Sequence, residues 1–239
     1  MRTARAIAQR ELGAYFRAPA GWIIIAIYLF LTGLVFALSS LTPGQPATLR
    51  EFFGVAGWLL LPVAPAISMR LLSEEFRSGT IESLLTAPVS GWSLVAGKFM
   101  GGMTFLLAMI APTAVYPLIL QFVSDPSPDV GPVLSGYLLL VLMGGLYIAL
   151  GTLASSLTSN STLAFLMTFF VILMLLFAGV GGQFVPDWVK PVLFELSVSA
   201  RASDFAKGII DLSHVVFFIA SASVCVVGAA TAVELRRWS

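Results

Sequence analysis

Residues 73–90 read Ser-Glu-Glu-Phe-Arg-Ser-Gly-Thr-Ile-Glu-Ser-Leu-Leu-Thr-Ala-Pro-Val-Ser, a short charged island between two long apolar runs. The whole chain is 58% hydrophobic and only 10% charged, whereas soluble domains carry about 25% charged residues. This composition indicates an integral membrane protein, and 239 residues leave room for one membrane domain. The island therefore lies between two membrane spans, where a partner in the water phase can reach it.

The apolar runs predict six membrane spans, because one span needs about 20 largely apolar residues. Residues 130–186 contain no formal charge, a length that suits two spans separated by the polar break at 157–161. Five- and seven-span alternatives differ mainly in how this region is divided. We predict the spans near residues 21–41, 52–71, 98–122, 133–156, 162–181 and 213–234.

The basic residues predict the orientation of these spans. With six spans both termini lie on one side, which carries nine Lys and Arg residues against four on the other. The positive-inside rule then places both termini and the charged island in the cytoplasm. We predict an all-α integral membrane fold with six transmembrane helices, N-in and C-in, forming a single domain over residues 1–239.

Residues 2–17 plot as an amphipathic helix that suits the cytoplasmic membrane interface. Tyr15 lies in its apolar sector, while Arg10 and Arg17 lie on the polar side. Glu11 also falls in the apolar sector, so we expect it to have a partner inside the protein. The alternative is a disordered basic tail.

The charged island predicts two short helices. Ser73 can cap an extension of span two, with Glu74 and Glu75 in its first turn. Thr80 can cap a second helix at 81–86, and Pro88 blocks its continuation. That second helix is under two turns long and presents leucines that are costly to expose unless they enter another protein's groove. The alternative is an ordinary solvated loop.

Other features of the sequence limit the possible functions. Walker A requires G-x-x-x-x-G-K-[ST], but Gly91 to Gly97-Lys98 has one residue too many, and Phe99 replaces the Ser or Thr. Gly97 and Gly101 can instead form a small-residue packing surface, although a lipid-facing position is an alternative. No predicted span carries a mid-membrane ionisable residue, which argues against a proton- or sodium-coupled carrier.

The segment between spans five and six and the single histidine offer further clues. The external segment 182–212 predicts one or two short helices at the outer leaflet, acting either as a gate or as a plain connector. His214 at its end is expected to be an exposed loop residue. With one Cys and one His in the chain, the usual zinc, haem and iron–sulfur sites are not expected.

Several stretches resemble ABC-2 type transporter permeases. The island at 73–90, followed by 97–99, is similar to the family's segment between spans two and three. The stretches 10–12 and 15–19 resemble its N-terminal interfacial helix, and 156–160 resembles its turn between spans four and five. The segments 207–211 and 236–238 resemble the subgroup of the gliding-motility permease GldF and the related NosY.

This resemblance implies a permease half that dimerises, as a homo- or heterodimer, on two ABC ATPase subunits. Carried over position by position, the ATPase-coupling contact comprises Glu74, Glu75, Arg77, Gly79, Thr80, Glu82, Leu84, Leu85 and Pro88. The interfacial helix would contribute Arg10, Glu11, Tyr15 and Arg17.

The function implied by the resemblance is export by a non-catalytic subunit of a cell inner membrane. The chain itself would bind no cofactor, since ATP and Mg²⁺ would be held by the partner ATPase. We expect contacts with membrane lipid and none with nucleic acid. The alternatives are an ATP-driven mechanical or assembly role, with an external envelope protein bound at 182–212, and a secondary carrier or channel.

Overall fold

The computed structural model of the chain describes residues 2–41, 47–79, 90–125, 128–181, 188 and 190–236. Every regular element in these ranges is helical, as predicted. In chain order the elements are α1 (Arg2–Arg17), α2 (Pro19–Ser40), α3 (Arg50–Ser68), α4 (Ser73–Arg77), α5 (Gly91–Ile110), a 3₁₀ turn (Ala111–Ala114), α6 (Val115–Val123), α7 (Val130–Leu157), α8 (Ser161–Gly181), α9 (Lys190–Leu196), α10 (Val198–Phe205) and α11 (Leu212–Arg236).

Six helical stretches are long and apolar enough to cross a membrane, which confirms the predicted number. Span one is α2, span two is α3 with α4, and span three runs from α5 to α6. Spans four, five and six are α7, α8 and α11. The largest difference from the prediction is the start of span three, which lies at Gly91 and not near residue 98. Lys98 is therefore inside a helix and not at its edge.

Span four is the centre of the bundle and packs against spans two, three, five and six. Glycines on α7 allow this close approach, because small residues let helix backbones come together in membranes. A Cβ at Gly144 would lie 2.5 Å from Leu106 Cδ2, and one at Gly136 would lie 2.5 Å from Phe53. Larger side chains at these positions would push spans two and three away from span four.

The α1 helix and the last described turn of span six lie at one end of the bundle, here called the α1 end. The α1 helix packs along α5, and Arg236 in the last turn of span six donates to the Leu157 carbonyl at the end of span four, at 2.9 Å. The α4 helix lies at the same end. The opposite end, called the α10 end, carries α9 and α10, which agree with the short helices predicted between spans five and six.

Candidate functional site

The α4 helix begins at a break in span two that is held by a serine from span four. The backbone N–H groups of Leu72 and Ser73 both donate to Ser155 Oγ, each at 2.9 Å. The Ser155 hydroxyl in turn donates to the Met69 carbonyl at 3.2 Å. Span four therefore satisfies backbone groups that the change from α3 to α4 would otherwise leave buried and unpaired.

Ser73 does not cap α4, so that part of the prediction is wrong. It is the first residue of the helix, and the cap position falls on Leu72 without a side-chain bond. The Ser73 hydroxyl donates to the Met69 carbonyl and lies 3.0 Å from Ser161 Oγ on span five. The Ser73 hydroxyl is thus directed back along span two, and the Phe76 N–H bonds the Leu72 carbonyl at 3.1 Å.

Two further contacts fix the sides of α4. Glu74 pairs with Arg70 at 3.2 Å, with both side chains about half exposed. The Arg236 guanidinium lies 4.4 Å from the centre of the Phe76 ring, a cation–π contact. Spans four, five and six thus each contribute a side chain that contacts α4.

A group of four charged side chains, three of them mostly buried, joins α4 to α1 and span three; we call it the charge cluster. Its members are Arg10, Glu11, Glu75 and Lys98. Lys98 Nζ lies 3.0 Å from Glu11 Oε1 and 2.9 Å from Glu75 Oε1, and its side chain is only 2% exposed. Arg10 reaches the same two oxygens at 3.5 and 3.3 Å from the solvent side. A lysine this deeply buried needs such partners, because an unpaired buried charge is very costly.

The charge cluster depends on two glycines that bring α1 against α5. A Cβ at Gly97 would lie 2.7 Å from the Ala4 carbonyl oxygen, and one at Gly101 would lie 2.7 Å from Glu11 Cβ. Both contacts are too short for any side chain. The predicted small-residue packing surface is therefore confirmed, with α1 as its partner, and the partner expected for Glu11 is Lys98.

Tyr15 fixes the next turn of α1. Its hydroxyl donates to the Ile67 carbonyl of span two at 2.6 Å, and its ring stacks on Phe105 of span three at 4.6 Å. Burial raises the pKa of this hydroxyl well above its ordinary value, and the nearby Glu11 raises it further. Tyr15 is therefore a permanent neutral donor.

The structure thus brings some of the expected site residues together. Arg10, Glu11 and Glu75 meet at Lys98, with Tyr15 one turn away. Arg77 and Gly79 lie exposed at the end of α4, where Gly79 has the positive φ of 70° that favours glycine. Arg17 donates to the Gly13 carbonyl of its own helix and does not join the charge cluster. Thr80, Glu82, Leu84, Leu85 and Pro88 lie outside the described residues.

Sequence reasoning missed Lys98 and Ser155 as members of the site. For Lys98 a signal was present, because a single lysine stood beside the two glycines of an apolar run while Glu11 lacked a partner on an apolar helix face. For Ser155 no signal was present. A serine near a span end is ordinary, and only the fold places it at the break in span two.

A second polar group lies at the α10 end. Arg201 is 8% exposed. Its Nη1 lies 2.8 Å from His214 Nδ1, and its Nη2 lies 2.8 Å from Glu195 Oε2. Because a guanidinium only donates, His214 Nδ1 accepts and Nε2 carries the proton toward Asp204 Oδ2 at 3.2 Å. This bond is the main cause that lowers the pKa of Asp204. His214 is therefore not the exposed loop residue that was expected.

Comparison with known proteins places these features in a family. The model of a family described as "ABC-2 family transporter protein" matches residues 42–200, about two thirds of the chain. The chain belongs to the ABC-2 transporter family. The matched region covers spans two to five and includes α4. No curated protein matches the chain.

Membership of the ABC-2 family defines the protein at a coarse level. It is a multi-pass membrane protein and the permease component of an ABC transporter. ABC-2 permease domains are membrane components that are generally non-catalytic and that work with an ABC ATPase subunit. The α4 region and the charge cluster are thus features of the permease component of an ABC transporter.

Proposed function

We propose that this ABC-2 permease couples ATP hydrolysis on two partner ATPase subunits to export across a cell inner membrane, with residues 73–90 as the coupling contact. The observation that carries the proposal is the charge cluster, in which Glu75 of α4 shares Lys98 with Glu11 of α1. ATP and Mg²⁺ belong to the ATPase, and this chain binds neither. A second permease subunit completes the membrane unit, as a homo- or heterodimer. We place this chain in the GldF/NosY-like subgroup of the family.

The distribution of charge supports an orientation with the α1 end in the cytoplasm. This end carries eight of the twelve basic residues that the structure describes, and cytoplasmic segments are enriched in Lys and Arg. The arginines of α1 then lie near anionic headgroups of the inner leaflet. The coupling segment faces the compartment that contains ATP.

The anchoring of α4 suits the transmission of force. A five-residue helix is unstable alone, but contacts with spans three to six and with α1 hold this one in place. Separating Glu75 from Lys98 would leave the buried lysine with Glu11 as its one carboxylate partner in the cluster, and loss of a partner from a buried ion pair costs up to about 3–5 kcal/mol. A partner that moves residues 80–89 would therefore displace α1 and span three together with α4.

The experiment is purification of the chain with the ABC ATPase encoded beside it, followed by ATPase measurements in proteoliposomes. We expect the two proteins to elute together and Glu82→Arg to weaken the complex by at least about tenfold, since an unmatched interfacial charge costs several kcal/mol. Asp125→Arg is the matched control, because it makes the same charge change at the α10 end. Separate elution, or equal effects of the two variants, would refute the proposed coupling contact.

A mechanical or assembly role is a second candidate, and the α10 end supports it. The Arg201 contacts hold α9, α10 and span six together, while Trp188 and Val192 are 80% and 58% exposed. Such a fixed apolar surface suits an external envelope protein. In-cell crosslinking from position 188 distinguishes the two roles, because a simple exporter gives no stable external protein adduct.

A further inference from the structure

A groove of about 430 Å³ opens between spans two, four and five and α10. This volume falls within the range of small-molecule sites, about 300–1,000 Å³. One wall is the first two turns of span two, from Arg50 to Trp58, a length of about 12 Å along the helix axis. The groove therefore extends from the α10 end to a depth close to half the hydrocarbon thickness, about 15 Å.

The deep part of the groove is apolar and open. A Cβ at Gly54 would meet no atom within 4 Å, whereas one at Gly57 would meet Met143 Cε at 3.0 Å. The rings of Trp58 and Phe177, whose centres are 6.2 Å apart, flank this space and are 57% and 50% exposed. Gly54 thus leaves a slot beside span two that an aliphatic chain can fill.

The mouth of the groove is polar and carries opposite charges. Arg50 and Glu51 are adjacent and exposed, and among the described residues neither side chain has an ion-pair partner. The hydroxyls of Ser199 and Ser203 donate to the carbonyls of Leu176 and Ala200 at 2.9 and 2.7 Å. The Ser199 oxygen also accepts from Ser197 Oγ at 3.0 Å and keeps one further lone pair, while the Ser203 oxygen can accept through two. The mouth therefore offers one guanidinium donor, one carboxylate and two hydroxyl acceptors.

We propose that this groove binds one bilayer phospholipid whose headgroup carries a primary ammonium. The phosphate lies at Arg50, the ammonium lies at Glu51 and the serine oxygens, and one acyl chain follows Gly54 toward Trp58. A primary ammonium supplies three N–H donors, which match these three acceptors, whereas a quaternary ammonium supplies none. The site selects ethanolamine over choline headgroups. Its assignment to the outer leaflet rests on the proposed orientation of the chain, whereas the binding itself does not.

The test uses the full chain without ATPase in nanodiscs that contain ethanolamine, choline and glycerol phospholipids. Two probes with the same diazirine-bearing acyl chain, one with an ethanolamine and one with a choline headgroup, are photolysed in parallel. Labelled peptides are then mapped by mass spectrometry. We expect the ethanolamine probe to label the groove about three- to five-fold more than the choline probe, as for an exposed charge contact.

Variants test the position of the lipid. Gly54→Phe adds a ring to the slot, at a position where a Cβ meets no atom within 4 Å, and should lower groove labelling about tenfold. Val224→Phe is the matched control, because it adds the same ring at a position of span six that is 71% exposed. Glu51→Gln should remove the headgroup preference, whereas Arg50→Gln should lower labelling by both probes, because both lipids carry the phosphate. Both side chains are exposed, so each variant should still fold.

Two results would overturn the proposal. If both probes label the groove equally, and no more strongly than they label the other exposed apolar faces, the groove holds ordinary surrounding lipid. Crosslinks from groove residues to a second copy of the chain would mean that protein fills the space. If Gly54→Phe fails to fold, the headgroup comparison on the unchanged chain decides the question. Because no ATPase is present, failure of the coupling function leaves this result unaffected.

Discussion

Replacing Lys98 with methionine is the sharpest test of the charge cluster. Glu11 Oε1 and Glu75 Oε1 both lie within 3.0 Å of Lys98 Nζ, so without the ammonium two carboxylates face each other across about 6 Å or less. Their side chains are only 16% and 13% exposed, and Arg10 remains as the single nearby cation of the cluster. Loss of one partner from a buried ion pair costs about 3–5 kcal/mol. We expect a loss of this size in the free energy of unfolding.

The assay is reversible unfolding of the purified chain in detergent, with ATPase activity of the reconstituted complex measured in parallel. Lys207→Met is the matched control, because Lys207 pairs with Asp204 at 3.5 Å while 55% exposed, and exposed pairs contribute about 1 kcal/mol or less. The triple variant Glu11→Gln, Glu75→Gln, Lys98→Met removes the three mostly buried charges of the cluster and leaves Arg10, whose side chain is 57% exposed. It should regain most of the lost stability, since neutral replacement of a buried ion group is often tolerated.

Equal destabilisation by Lys98→Met and Lys207→Met would refute the reasoning, since it would mean that burial gives Lys98 no special importance. The coupling function has a separate criterion. If the triple variant regains stability but no longer changes the activity of the ATPase in the reconstituted complex, the cluster specifies the register between α1 and α4. If both stability and coupling return, the cluster has no role in coupling.

Three other changes should have defined effects. Gly101→Val should destabilise the chain by about 1–3 kcal/mol in the same unfolding assay, because it overpacks the contact with α1, and Tyr15→Phe should cost about 1 kcal/mol through the lost bond to Ile67. A smaller loss for Gly101→Val than for Tyr15→Phe would contradict the α1 packing. The pKa of Asp204 is lowered in the folded chain, so its stabilising effect is present above the ordinary pKa of about 3.9 and is lost as the pH falls through the lower folded value. The hydrogen-exchange protection factors of α10 amides, which are corrected for the intrinsic pH dependence of exchange, should therefore fall at acidic pH, and Asp204→Asn should remove most of that change.

The sequence was sufficient to predict the membrane architecture because long apolar runs have few alternatives to a helix in lipid. The same reasoning predicted that Glu11 needs a partner, since a carboxylate on an apolar helix face cannot stay unpaired. It could not name Lys98. Helical periodicity defines the face of α1, but the position of α1 along span three is set by Gly97 and Gly101, which only the packed structure reveals.

The misplaced start of span three has a related cause. The sequence reasoning treated Lys98 as a water-exposed boundary, because lysine is rarely buried in membrane helices. The α5 helix instead begins at Gly91, where Ser90 accepts a bond from the Ser93 N–H as its cap. A buried lysine with two carboxylate partners overrides the hydropathy rule. Such exceptions are expected where one helix packs along another at the edge of the bundle.

Span four gives the proposed coupling a physical route between the two ends of the bundle. At the α1 end its Ser155 bonds the start of α4, and at the α10 end its Ser135 donates to the Phe205 carbonyl of α10 at 2.7 Å. The two serines are 20 residues apart, a distance of about 30 Å along a helix. Between them Gly144 and Gly151 pack tightly against spans three and two. Because packed helices move as bodies and do not deform continuously, we expect a displacement of α4 to reach α10 through this one helix.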